Sequence, residues 1–238
     1  MSVLSGRRVL LGVTGSIAAY KAADLASKLT QAGAQVDVIL SGAAEQFITP
    51  LTFQSVTGRR AFVDADLWGN EAHVLHVGLG HTADLLILAP CTANTIAKLA
   101  HGLSDSLLTV TALAANCPLL IAPAMDGGMF EHPATRENVD TLKKRGAIFV
   151  GPAEGHLASG LSGVGRLRVA EDVDLELQVG LEANLVRARR QRDRRRDDGR
   201  QSPERDQPDP VPLHRSSLRW TERTPRSVKR PRPGPGYP

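Results

Sequence analysis

Short apolar runs alternate with helix-period stretches along the first 150 residues. Residues 9–13 form a five-residue apolar run between Arg8 and Thr14-Gly15-Ser16, the pattern of a strand buried on both faces. Behind it, Ala18, Ala22, Leu25 and Leu29 recur at helical spacing. Ser16 is the expected N-cap of that helix, and Gly33 closes it at C′. A second strand is expected over 34–40, a helical stretch from 45, and a helix opened by Pro50 at its first turn. Residues 58–69 show neither period. The strongest strand spans 83–90 and leads into helices over 96–101 and 105–115. A strand over 118–123, a helix over 135–145 capped by Gly146 and a last strand over 147–150 complete the series.

Strands alternating with helices at this spacing indicate an α/β fold with a doubly wound parallel sheet of the Rossmann-like type. Ligands of such sheets lie at the carboxyl ends of the strands. Those ends carry Thr14-Gly15-Ser16, Ser41-Gly42-Ala43, Pro90-Cys91-Thr92-Ala93-Asn94 and Pro123-Ala124-Met125-Asp126, so glycine and polar groups gather on one edge. The first turn, with glycines between strand and helix, leaves backbone N–H groups and a helix dipole facing outward, which suits a phosphate. Residues 155–166 are glycine-rich without a period, punctuated by Leu157, Leu161 and Val164, and are expected to form a lid.

Charge divides the chain. The formal net charge is +4, but 16 of the 29 Lys and Arg lie in residues 186–238 with only 7 of the 25 acidic residues. Residues 1–185 keep 13 basic against 18 acidic side chains, a mildly acidic body that speaks against nucleic acid as its partner. We therefore expect one folded domain over 1–185, with an acidic-then-basic helix from 170 to about 190. Over 186–238 we expect a disordered Arg- and Pro-rich tail. Cys91 and Cys117 are too few and too far apart for a metal site, and read as small apolar residues in a reducing compartment. No membrane-length apolar run or leader pattern is visible, so a soluble cytoplasmic protein is expected.

Several familiar chemistries fail on spacing. Gly12-Val-Thr-Gly-Ser is not the dinucleotide glycine pattern, and Asp37 is a poor match for its ribose-binding acid. There is no phosphate-loop Lys, no GxSxG nucleophile turn and no paired His or Cys spacing that would hold a metal.

The motifs at the strand ends, with His76 eight residues before Asp84, resemble the homo-oligomeric flavin-containing cysteine decarboxylases. Within that family the closest likeness is to the phosphopantothenoylcysteine decarboxylase half of bacterial bifunctional coenzyme A biosynthesis flavoproteins. The resemblance runs from about residue 7 to 168. It implies FMN as cofactor, held by Gly15, Ser16 and Ile17 at its phosphate, by Ser41, Gly42 and Ala43, and by Pro90, Cys91, Thr92, Ala93 and Asn94 along the flavin. It also implies substrate binding by Ala124, Met125 and Asp126, and an active-site role for His76 across a subunit boundary in a homo-oligomer that is a trimer or built from trimers. The implied reaction converts 4′-phospho-N-pantothenoylcysteine to 4′-phosphopantetheine, with neither nucleic acid nor membrane as partner. A peptidyl-cysteine oxidative decarboxylase and a non-catalytic flavin-binding regulatory subunit are the alternatives.

Three departures from the family pattern stand out. Asp126 replaces the usual Asn, giving an acceptor-only carboxylate where an amide also donates. Ser159, in Leu157-Ala158-Ser159-Gly160, stands where reducing relatives carry a cysteine acid, and a hydroxyl is far the weaker proton donor. The third departure is the Arg- and Pro-rich tail, which follows where bifunctional relatives begin a ligase domain. We expect it to be out-of-frame sequence from a GC-rich gene, with a natural basic tail as the alternative.

Overall fold

A computed structural model of the chain describes residues 2–68, 74–156 and 162–167. The sheet is built from β1 (Arg8–Val13), β2 (Gln35–Leu40), β3 (Ala61–Phe62), β4 (Leu85–Cys91), β5 (Leu119–Pro123) and β6 (Ile148–Phe149). All neighbours pair in parallel in the order β3-β2-β1-β4-β5-β6. The order reverses between β1 and β4, so their carboxyl ends flank the switch point at which open α/β sheets bind ligands.

Alternation along each strand divides the core into two layers. Val9, Leu11 and Val13 face one layer with Val36, Val38, Ile87 and helix α1 (Ala19–Gln31), together with Phe53 of α2 (Pro50–Thr57). Leu10, Ile39, Leu86, Leu88 and Ile121 face the other, against α4 (Ala93–His101), α5 (Leu107–Ala114) and α7 (Pro133–Lys144). Gly12 points into this second layer: a Cβ there would stand 2.4 Å from Leu88 Cδ2 and 2.5 Å from Leu108 Cδ1. Its missing side chain lets α5 pack directly on β1.

The described residues bear out the expected doubly wound architecture, with local differences. Helix α1 starts later than expected: its N-cap is Ala18, and Ser16 instead closes a turn, its Oγ accepting from Ala18 N–H at 3.2 Å. The aperiodic residues 58–69 contain β3 and a 3₁₀ turn, Asp64–Trp68. Two further helices, α3 (Leu75–Thr82) and α6 (Gly127–Glu131), lack a strong apolar period. Part of the expected lid forms a hairpin, β7 (Ala153–His156) pairing antiparallel with β8 (Ser162–Arg166). Glycine-rich strands pair through backbone groups and need no side-chain alternation to do so. Residues 157–161, with Ser159, and the expected helix and tail beyond 167 lie outside the described residues.

Candidate functional site

The carboxyl ends of β1, β2, β4 and β5 enclose a cleft of about 560 Å³, within the usual range for a small-molecule site. Its wall is assembled by local hydrogen bonds that fix each loop to its neighbours. Thr14, only 1% exposed, joins the first and fourth strands. Its hydroxyl donates to Pro90 C=O at 2.7 Å and accepts from Thr92 N–H at 3.0 Å, while its own N–H donates to Pro90 C=O at 3.2 Å. Thr92 then caps α4, accepting from Thr95 N–H at 3.4 Å.

The first and second loops meet at Gly15. A Cβ on Gly15 would lie 2.4 Å from Ala43 Cβ and 3.0 Å from Ala43 backbone carbon, closer than real Cβ contacts. Only glycine lets Gly15 and Ala43 approach this closely. Ser41 Oγ accepts from Ala44 N–H at 3.3 Å, so it shapes the second loop. The N–H groups of Gly15, Ile17 and Ala43 have no acceptor among the described residues, and Gly15 and Ala43 line the cleft. Unsatisfied donors gathered at a strand-to-helix turn form an anion cradle.

The cleft brings together Gly15, Ser16, Ser41, Gly42, Ala43, Thr92, Ala93, Asn94, Ala124 and Met125 of the residues expected from sequence. Ile17 is exposed and Pro90 buried, and neither side chain lines the wall. Cys91 is fully buried in the second core layer, and burial pushes its thiol pKa up, so it is an inert packing residue. Asp126 sits just outside the lining as the N-cap of α6, accepting from Gly128 N–H at 2.9 Å. His76 is half-buried in the first turn of α3, which packs on α5 and the 3₁₀ turn, and it does not line the cleft of its own chain.

Asp64, Thr95, Lys98, Ser106, Leu108, Thr109 and Met129 also line the cleft and were not anticipated. Lys98 and Thr95 had a usable signal, since each lies one helical turn beyond Asn94 or Thr92. Ser106 and Thr109 form a reciprocal capping box at the start of α5. Lys98 Nζ holds both oxygens of Asp105, at 2.9 and 2.8 Å, and this pairing lowers the Asp105 pKa. Asp37, the residue weighed above as a ribose acid, instead makes two 2.8 Å bonds to Arg59, away from the cleft.

A glycine-closed cradle of free N–H groups at the switch point fits the phosphate of a mononucleotide. Comparison with known proteins gives the same direction. The Flavoprotein family profile matches residues 2–177.

The chain belongs to the Flavoprotein family.

Among relatives, the coenzyme A biosynthesis bifunctional protein CoaBC of Bacillus subtilis (strain 168) is 46% identical over 171 residues, covering 72% of this chain and 42% of that protein. CoaBC of Mycobacterium tuberculosis (strain ATCC 25618 / H37Rv) is 44% identical over 176 residues, covering 74% and 42%. The chain therefore spans about two-fifths of the length of these bifunctional proteins. Among solved structures, a cysteine-to-serine variant of a PPC decarboxylase complexed with pantothenoylaminoethenethiol is 32% identical, with a TM-score of 0.67, covering 74% of this chain and 99% of its own. The FMN-dependent cysteine decarboxylase SpaF is 31% identical with a TM-score of 0.64, covering 78% and 99%. The doubly wound flavoprotein fold expected from the sequence is thus shared with these proteins over the described body. No described helix is long and apolar enough to cross a membrane.

Proposed function

We propose that the chain binds FMN in this cleft and decarboxylates 4′-phospho-N-pantothenoylcysteine on the route to 4′-phosphopantetheine. The observation that carries this reading is the cradle itself, in a body matching almost the full length of a PPC decarboxylase structure. Gly15, Ser16, Ile17 and the Ser41–Ala43 turn would hold the phosphate through backbone N–H groups and hydroxyls. Thr92, Ala93 and Asn94 would face the ring system, with Pro90 and Cys91 holding that loop in place from the core.

Loss of CO₂ from an ordinary cysteine carboxylate leaves electrons with no stabilising acceptor. A bound flavin supplies a two-electron sink for the carbon bearing the thiol, which makes the loss feasible. The protein's part is to hold substrate, exclude water and deliver protons. Ala124 and Met125 would contact substrate from the β5 end. Asp126, an acceptor-only carboxylate held at the α6 start, suits substrate amide N–H groups better than a substrate carboxylate. His76 would hold the substrate carboxylate or move a proton near neutral pH. Because His76 stands off its own chain's cleft, this role calls for a second copy to present it. The exposed apolar side chains of Ile17, Tyr20, Leu51 and Trp68, on segments leaving the same strand ends, support a homo-oligomer sharing sites across its interfaces.

Ser159 favours a second reading of the last step. A PPC decarboxylase variant that carries serine for cysteine is complexed with an enethiol, pantothenoylaminoethenethiol. With Ser159 in place of a cysteine acid, the product would be the enethiol with its two electrons left on the flavin, unless another acid supplied the proton that accompanies their return. The test is to incubate FMN-loaded protein with phosphopantothenoylcysteine and follow CO₂ and product mass. Phosphopantetheine supports the complete reaction, and a product lacking its two added hydrogens supports arrest at the enethiol. FMN binding without CO₂ release would favour a regulatory subunit, and no FMN binding would overturn the reading altogether.

A further inference from the structure

Among the described residues lining the cleft, Asp64 is the one acidic side chain. A carboxylate is the wrong charge for a wall beside a phosphate cradle, and its hydrogen bonds show what it does there. Asp64 Oδ2 accepts from Gly42 N–H at 3.1 Å, and Oδ1 accepts from Leu107 N–H at 2.9 Å. The donors lie 22 and 43 residues away along the chain. One carboxylate thus ties together the 3₁₀ turn after β3, the turn after β2 and the start of α5. The capping box of Ser106 and Thr109 satisfies the N–H groups of those two residues and leaves that of Leu107 to Asp64. Its bond to Leu107 anchors the carboxylate, and its bond to Gly42 fixes the turn. The residue after Gly42 is Ala43, the one on which Gly15 closes and one of the three donors without an acceptor.

We infer that Asp64 is a positioning residue for the flavin phosphate. It clamps the Ser41–Ala43 turn against α5 and so aims the cradle's N–H groups, in opposition to the repulsion its own charge exerts on the phosphate. The inference rests on the FMN reading above and adds a residue outside the recognised motifs. It gives a sign that electrostatics alone would reverse. If Asp64 acted only as a nearby negative charge, its neutralisation would tighten FMN binding.

The test is to titrate the full-length apo-protein and its Asp64→Asn and Asp64→Ala variants with FMN and with riboflavin, which lacks the phosphate, following flavin fluorescence. Asp64→Ala is expected to weaken FMN about tenfold or more while riboflavin affinity stays within about twofold. Asp64→Asn, which keeps one acceptor oxygen, is expected to fall between. Should the alanine variant fail to fold by circular dichroism, the FMN-to-riboflavin ratio of the near-isosteric asparagine variant decides. FMN binding that is unchanged or tighter in Asp64→Asn overturns the inference, as does a parallel loss of both flavins. Failure of the wild-type protein to bind FMN, an arm without any substitution, instead overturns the cofactor reading and the inference with it.

Discussion

Two cavities of similar size sit at opposite ends of the parallel sheet. The cleft at the carboxyl ends measures about 560 Å³, and the cavity between α4, α5 and α7 at the amino ends about 470 Å³. The first is walled by glycine, alanine, hydroxyls and free N–H groups from four loops. The second is walled by Leu99, Leu103, Leu113, Pro118 and Leu142 beside Thr109, Asn116 and Cys117, and its one cationic group is committed: Arg145 donates to Ala100 C=O at 2.7 Å, closing the end of α4. Volume does not distinguish them. What does is convergence, since the strand ends bring the N–H groups of Gly15 and Ala43, which have no acceptor among the described residues, to one space, while the charged group of the other cavity is spent on a helix end.

The sharpest way to break this contrast is at Gly15. Gly15→Ala places a methyl against Ala43 backbone as well as its Cβ, and backbone cannot swing away as a side chain end can. FMN affinity is expected to fall on the order of 100-fold, about 2.7 kcal/mol, read by flavin fluorescence titration. A variant that binds FMN normally would show that the cradle is not where the phosphate sits. His76→Ala is expected to lower turnover by about 100-fold or more while leaving FMN binding unchanged. Mixed oligomers of His76→Ala with Gly15→Ala should then regain part of the activity, and complete failure to do so would argue against sites shared between copies.

Smaller effects sharpen the comparison from the other side. Thr111 is fully buried in α5 and its hydroxyl has no hydrogen-bond partner among the described residues. Thr111→Val keeps the shape and removes the unpaired group, so it is expected to raise stability by about 1 kcal/mol, or Tm by roughly 2–4 °C. A drop in Tm would mean the hydroxyl is satisfied in solution. Leu113→Ser, at the rim of the second cavity, is expected to change FMN affinity by less than about twofold. A larger change would show that the two ends of the sheet communicate.

The strands and the loops at their ends were legible because both faces of the sheet are covered. Full burial leaves unbroken apolar runs at β1, β4 and β5 and one interrupted by Asp37 at β2, and the polar residues that end them mark the edge. What was illegible lacks such a contrast. Helix α3 contains Gly78 and Gly80, poor helix formers. Gly80 is held there by packing, since a Cβ would meet Thr111 C=O and Ala115 N–H of the α5 region at 3.0 Å. Strand β3 is two residues long and carries no period. Asp64 stood in an aperiodic stretch, and its role is defined by donors 22 and 43 residues distant. Its chemistry exists only after the chain has folded. Cys91 shows the converse, a residue inside a recognisable motif whose side chain faces the core.

The Thr14 hydroxyl has a mechanical consequence. By bonding to Pro90 and Thr92 together, it rivets the two half-sheets at the seam where strand order reverses. Those bonds extend the parallel pairing of Val9–Gly12 with Leu85–Leu88 past the ends of the strands, so the floor of the cleft is stiff and adjustment to a guest falls to its rim.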